Sequence, residues 1–307
     1  MSTVAAGRPI DVRGRLSPEE FRTQYMGRKP LVMRGALTDM PAVTRWSLDH
    51  FASLAPDLQV RLKTGSVDAG QTTTMRLADY ARVVSDWEQR TATGDDASRD
   101  PAGGGPKRPP YLHDLPLLST IPQLREDIVG FQVDLLPPFF RGRWWDFTQF
   151  FVGASGAVTP LHFDALLTHN LFLQIKGDKR FVMVDAADRD RCYLNGWRWS
   201  PIDPEDPDLE RYPLFRDVEV RSCVVSSGDL LYMPPGTFHK VVSETSSMSF
   251  NIDWHDRRSA WRGLTAARQG MPATNLRYNL LFALGVIGRV PPALLLPALR
   301  SYFSYIS

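Results

Sequence analysis

The stretch Thr159-Pro160-Leu161-His162-Phe163-Asp164, followed by Asn170 and then Gln174-Ile175-Lys176-Gly177-Asp178-Lys179, decides the reading of this 307-residue chain. Side chains alternate across a β-strand, so on one strand His162 and Asp164 share a face while Leu161 and Phe163 take the opposite, apolar side. An imidazole and a carboxylate two residues apart can then meet one ion inside a barrel. His-x-Asp alone is common by chance, and its weight comes from a third group far downstream. Gly228-Asp229 opens a strand, Pro234-Pro235-Gly236 turns it back, and His239 falls on a neighbouring strand. Two histidines and one carboxylate on a β scaffold suit a non-haem Fe(II) centre that binds dioxygen. Three convergent ligands are a rare accident.

Lys179 starts a strand whose alternate positions, Phe181 and Met183, are apolar, so it shares their inward face. A buried ammonium is costly unless an anion meets it. No acidic residue stands at matching spacing, whereas a dicarboxylate cosubstrate would supply the charge. Thr159, Tyr111 and Asn170 offer neutral hydrogen bonds to the same carboxylate. His169 and His255 compete as ligands but read better as structural or supporting groups, and His50 and His113 have no assignment.

Working outward, short runs at Phe150–Gly153, Val158–Asp164, Leu171–Ile175, Lys179–Val184, Val220–Val225, Asp229–Met233, His239–Val242 and Ser247–Ile252 read as strands. Leu171–Ile175 and Lys179–Val184 flank Lys176-Gly177-Asp178 like a hairpin. Short antiparallel strands with regular turns indicate a sandwich or jelly roll. Upstream, Ser17-Pro18-Glu19-Glu20 reads as a capping box, with Leu16 and Phe21 as its hydrophobic staple. Lys29–Gly35 and Gln59–Leu62 read as strands, and Ser47 as the cap of a second helix. Residues 89–110 are rich in Thr, Gly, Asp, Ser and Pro and read as a mobile loop. A Pro/Asp-rich insertion between Asn195 and Phe215 must be a long ordered loop over one rim. After Trp254 the chain turns helical: Leu276–Ile287 and Leu294–Phe303 are apolar, and neither approaches the ~20 residues of a membrane span. Apolar terminal helices suggest a homodimer interface. The division is therefore an N-terminal α/β extension over 1–110, a core over 111–256 and a helical dimerisation region over 257–307.

With 43% hydrophobic and 23% charged residues, the chain can bury a sizeable core. A formal charge of only +2 provides no global field for nucleic acid or acidic membranes, and no nucleic acid is expected. Cys192 and Cys223 form no metal-binding CxxC and read as reduced thiols. The first residues lack the apolar run of a signal peptide, which makes the cytoplasm the expected location.

With these residues in place, the sequence resembles the JmjC/cupin-like (Cupin_8) family of Fe(II)- and 2-oxoglutarate-dependent oxygenases. It is most similar to protein hydroxylases, such as the asparaginyl hydroxylase acting on hypoxia-inducible factor and related lysyl hydroxylases. The resemblance covers most of the chain, including the Ser-Pro-Glu-Glu-Phe helix and the Lys29-Pro30 strand, and is strongest from Thr159 to Asn251. It implies a mainly β fold: a double-stranded β-helix core with N-terminal helix and strand additions and C-terminal dimer helices. It implies that His162, Asp164 and His239 hold iron, that Thr159 and Tyr111 bind 2-oxoglutarate, and that Lys179 pairs with its distal carboxylate. Asn170 and Asn251 match the pocket asparagines.

Three departures bear on the target. Two extra residues separate Asp164 from Asn170 relative to the asparaginyl enzyme. Arg198-Trp199 stands where an Arg-Gln pair grips the target side chain there, and Asn251-Ile252-Asp253 replaces Asn-Phe-Trp. The implied reaction consumes 2-oxoglutarate and O2, releases succinate and CO2, and hydroxylates a C–H bond of a peptide or protein side chain. Arg198, Trp199 and the Pro/Asp-rich loop then shape the substrate groove. The same chemistry on a small molecule, such as an amino acid or natural product, is the first alternative. A non-catalytic metal-binding cupin-like module is the second, and a zinc hydrolase would leave Lys179 unexplained. Demethylation of N-methyl-lysine is disfavoured, since no reader or DNA-binding segment is visible.

Overall fold

A computed structural model describes residues 8–92 and 108–306, with side chains through residue 299. Fourteen strands lie among the described residues: β1 (Arg8–Pro9), β2 (Asp11–Arg13), β3 (Leu31–Met33), β4 (Gln59–Lys63), β5 (Thr72–Arg76), β6 (Tyr111–Leu115), β7 (Thr148–Gly153), β8 (Val158–His162), β9 (His169–Lys176), β10 (Lys179–Val184), β11 (Val220–Val225), β12 (Leu230–Met233), β13 (Phe238–Ser243) and β14 (Ser247–Trp254). They form a five-stranded sheet, β1-β11-β10-β13-β8, and a nine-stranded sheet, β2-β3-β12-β9-β14-β7-β6-β4-β5. The two sheets enclose an interior, the arrangement of a jelly roll.

Period-two patterning sets the two faces of the larger sheet. On β9, Leu171, Leu173 and Ile175 point outward into the main aromatic core, while Phe172 points inward. On β14, Phe250, Ile252 and Trp254 join the same outer core, which leaves Ser249, Asn251 and Asp253 on the inward side. The helices Leu48–Leu54, capped by Ser47, and Leu77–Ala92 cover that outer core with Phe51, Leu77, Tyr80 and Val84. At the N-terminus the Ser17–Glu20 capping box forms as expected, but after three residues the helix widens into a π turn, Phe21–Tyr25, that buries both aromatics. Phe181, Met183 and Val225 of the smaller sheet meet Phe151, Phe172, Leu231 and Met233 of the larger one to form the interior floor.

Two expectations change here. The hairpin across Lys176-Gly177-Asp178 does not exist. β9 pairs with β12 and β14, β10 pairs with β11 and β13, and the turn carries the chain from one sheet to the other. The corner is tight: Gly177 has φ of +68°, and a Cβ there would sit 2.2 Å from the Ser246 carbonyl oxygen. Only glycine fits. Of the loop expected over 89–110, Gln89–Ala92 instead belong to the preceding helix, and residues 93–107 lie outside the described ones.

The Pro/Asp-rich insertion is an ordered strap. Asp203 and Glu205 pair with Lys240, Glu205 also pairs with Arg180, and Ile202 and Phe215 are buried beneath it. The apolar C-terminal segments form the helices Ala273–Val286 and Pro292–Ile306. No helix among the described residues is long and apolar enough to cross a membrane.

Candidate active site

β8 ends at His162, so Asp164 belongs to the loop beyond it rather than to the strand. The shared face of the pair therefore does not come from simple alternation. His239 of β13 faces His162, and Val241 faces Thr159, so β8 takes three residues where β13 takes two. This bulge at Pro160-Leu161 turns both Thr159 and His162 inward while Leu161 and Phe163 enter an apolar cluster outside. Pro160 is tolerated because β8 is an edge strand in its sheet, where a missing N–H breaks no ladder.

The ligand atoms of His162, Asp164 and His239 lie within 4.8 Å of one another. The two rings stand 4.3 Å apart, and His239 Nε2 is 3.9 Å from Asp164 Oδ1. His162 Nδ1 lies 2.8 Å from the Pro160 carbonyl, and His239 Nδ1 lies 3.1 Å from that of Thr237. A carbonyl only accepts, so each Nδ1 carries the proton and each Nε2 keeps its lone pair for the shared point. Burial, reinforced by His239, holds the His162 pKa well below its ordinary value and keeps the ring neutral. Asn170 Nδ2 donates to Asp164 Oδ2 at 3.1 Å and orients the carboxylate. This His2Asp donor set with preset tautomers fits a divalent metal.

Lys179 is 1% exposed and has no carboxylate partner among the described residues. Its ammonium donates to Tyr111 Oη and Ser249 Oγ, each at 3.1 Å, and lies over the rings of Tyr111, Phe151 and Phe172. Burial lowers its pKa to about 7. Thr159 hydrogen-bonds Tyr111, whose phenol burial pushes up. Asn170 Oδ1 and Asn251 Oδ1 are buried and accept no hydrogen bond among the described residues. A buried cation beside hydroxyl donors fits the far carboxylate of a small dianion.

Every site residue expected from the sequence lines one cavity of about 460 Å³: Tyr111, Thr159, His162, Asp164, Asn170, Lys179, Arg198, Trp199, His239 and Asn251. Larger hollows exist elsewhere, but they do not contain the triad. Trp199 bridges to the edge of β8 beside His162, with ring centroids 4.7 Å apart, and Arg198 lies over the Trp199 ring.

His169 and His255 lie apart from the triad. His169 faces outward, bonded to Tyr232 Oη and stacked on Trp254. His255 is held between Ser259 and Asn279, and burial lowers its pKa to about 3. The sequence reading missed Ser249, Gln149 and the close pair His113–Asp114. It noted Asp253 only as a departure. Burial first, then the charges of Asp164 and Asp114, push the Asp253 pKa well above the carboxylate range. The polar alternation Ser249, Asn251, Asp253 was a usable signal for this wall.

Fold and cavity define a jelly-roll metalloenzyme of the oxygenase type. Residues 17–260 match the family described as a cupin-like domain. The chain belongs to that family, the JmjC class of 2-oxoglutarate-dependent oxygenases. It is similar to the tRNA wybutosine-synthesizing protein 5 of Gallus gallus, 23% identical over 76% of this chain and 73% of the relative. It is also similar to the lysine-specific demethylase JMJ30 of Arabidopsis thaliana, 28% identical over 80% of this chain but only 54% of the relative. The human bifunctional peptidase and (3S)-lysyl hydroxylase JMJD7 is 25% identical over 77% of this chain and 80% of its own length.

Proposed function

We propose that this enzyme hydroxylates a C–H bond of a peptide or protein side chain, with Fe(II) on His162, Asp164 and His239 and the far carboxylate of 2-oxoglutarate on Lys179. The single observation that carries the reading is the buried, anion-free Lys179 ammonium in the same cavity as the triad. Register supports it. Lys179 precedes by four residues Met183, the β10 partner of His239, so ammonium and triad occupy different levels of one interior. The backbone path between them is ~13 Å, and the lysine side chain spans part of it, which leaves room for a five-carbon dianion.

Bound iron supplies the oxidation of 2-oxoglutarate by O2 to succinate and CO2. The chain's own residues bind and orient. Carbonyl-locked Nδ1 protons keep both imidazoles as lone-pair donors, and Asn170 aims the Asp164 carboxylate. Tyr111 and Thr159 complete the carboxylate cradle around Lys179, with the Asn251 amide in the same cavity. Phe151, Phe172 and Phe181 exclude water from the interior. Arg198 and Trp199 form the rim toward the primary substrate. Two relatives named for action on lysine, the demethylase JMJ30 and the lysyl hydroxylase JMJD7, support a side-chain target.

The Trp199 ring beside His162 narrows the mouth and favours the second reading, the same chemistry on a small molecule. We assign exposed Leu280, Leu284 and Leu294 of the C-terminal helices to a homodimer contact, within the division 1–110, 111–256 and 257–307. Two unbridged thiols, Cys192 and Cys223, suit a reducing, cytoplasmic location.

The test is succinate formation by anaerobically purified, Fe(II)-loaded protein given 2-oxoglutarate and oxygen, beside His162→Ala and Lys179→Ala. Slow turnover in the wild type alone supports the assignment. Failure of the wild type to turn over or to bind 2-oxoglutarate by calorimetry would leave only a metal-binding module.

A further inference from the structure

The formal charge of +2 conceals an asymmetry. Of the 36 basic side chains, seven lie in residues 257–307, all arginine, and that segment contains no aspartate, glutamate or lysine. The remaining residues hold 29 basic against 34 acidic side chains, a formal charge of −5. The C-terminal segment thus carries +7 on a chain that is otherwise acidic.

The fold concentrates this charge. The helix Arg257–Thr265 starts between two hollows of about 600 and 630 Å³ that share Asp256 in their walls. Arg28, Arg258 and Arg262 line the first, and Arg22, Arg257 and Arg289 line the second. Two further arginines there are already paired, Arg221 with Glu219 and Arg141 with Asp134. Arg22, Arg28, Arg257, Arg258 and Arg289 are exposed and form no ion pair among the described residues. Among the described residues the Arg262 guanidinium donates only to the Pro235 carbonyl, and burial followed by the charge of Arg258 lowers its pKa.

The acids in these walls are held by the fold. Asp256 caps its helix through Ser259 N and sits 3.5 Å from His169 Nε2, while Asp185 caps the short helix Ala186–Cys192 through Ala187 N. Trp261, between Arg258 and Arg262 in sequence, lines the first hollow with its side chain 64% exposed. Neither hollow contains the metal triad.

Unpaired guanidiniums bind phosphate oxygens in bidentate fashion, and an exposed indole offers a stacking face that any base can use. We propose that this face binds RNA, its phosphodiester backbone running along the arginines of the two hollows and an unpaired base stacking on Trp261. A bilayer would meet a flat apolar surface rather than arginine-lined hollows, and an acidic peptide would leave Trp261 without a role. The inference stands independently of the oxygenase assignment, because the triad plays no part in it.

The test is fluorescence anisotropy of the iron-loaded full chain with a labelled, unmodified tRNA transcript and a labelled 20-nucleotide single strand. Variants are Arg258→Glu/Arg262→Glu, Arg28→Glu/Arg257→Glu and Trp261→Ala. Single-strand contacts give a log–log salt slope of about −0.7 per neutralised phosphate, so five contacts predict a roughly hundredfold loss between 50 and 200 mM salt. Each double reversal should weaken binding at least tenfold and flatten the slope. Trp261→Ala should abolish the tryptophan quenching seen on RNA addition. All three should melt like the wild type and retain succinate formation. The second double variant guards against a purely structural effect of removing the Arg262–Pro235 contact. Absence of RNA binding at 50 mM salt, wild-type affinity in both double variants, or capture by phosphatidylserine vesicles but not by RNA would each overturn the proposal.

Discussion

The two faces of strands β9 and β14 obey opposite rules. Outward, Leu171, Leu173, Ile175, Phe250, Ile252 and Trp254 bury hydrocarbon against aromatic neighbours. Inward, Asn170, Gln174, Ser249, Asn251 and Asp253 bury polar atoms, and the side-chain oxygens of Asn170, Gln174 and Asn251 accept nothing among the described residues. An unsatisfied buried polar group costs about 1–3 kcal/mol, whereas a fully buried large apolar side chain contributes about 1.5–3 kcal/mol. The outward face holds the fold together; the inward face is held in an under-satisfied state that ligands would relieve. Stability and chemistry are thus separated by one residue step along the same backbone.

The comparison can be broken most severely at the metal. His162→Ala and Asp164→Ala should reduce succinate formation to background while the melting temperature of the metal-free protein changes little, since each removes a polar group of the cavity wall rather than core packing. On the opposite face, Phe250→Ala should cost about 3–5 kcal/mol of stability, read by urea denaturation, and Ile252→Val only about 0.5–1.5 kcal/mol. Loss of folding in the first group with tolerance in the second would invert the assignment of the two faces.

Lys179 sharpens the comparison through pH. Its ammonium has a folded pKa near 7 against an unfolded value of 10.5, so between those values the unfolded chain binds more protons. Stability of the ligand-free protein should therefore rise as pH increases from 7 toward 10.5, and Lys179→Met should flatten that rise. A dianion needs the charged form, so 2-oxoglutarate affinity should fall up to tenfold per unit above pH 7, with proton uptake in calorimetry. A pH-independent affinity would remove Lys179 from the carboxylate site.

The smallest expected effect concerns Asp253. Its raised pKa means that the folded state binds more protons above the ordinary carboxylate value, and stability falls as pH climbs from about 4 toward the raised folded value. Asp253→Asn should remove this fall, stabilising the ligand-free protein near pH 7, with succinate formation retained. A destabilised variant would show instead that the carboxylate is ionised and held by partners.

Much of the site was legible because its residues are chemically expensive to bury. A lysine among Phe181 and Met183 and two histidines near proline-broken strands have few structural uses. Asp253 and Ser249 were legible in principle from their alternation with Phe250 and Ile252. The His113–Asp114 pair was not, because Asp114 sits at φ of +63° beside a register shift in β6, where alternation fails. The arginine face was hidden for a different reason: a net charge averages over the surface, whereas binding depends on which charges the fold gathers.

By itself, the sequence pointed to the jelly-roll class, to His162, Asp164 and His239 as candidate metal ligands and to the inward lysine, since residue chemistry and the strand pattern around Phe181 and Met183 are local. Only the tertiary structure decided that Lys176-Gly177-Asp178 is a corner between sheets, that a bulge at Pro160-Leu161 brings Thr159 and His162 to one face, and that Asp164 meets them from a loop. Sheet membership and register depend on which distant strands pair, and no local pattern encodes that choice.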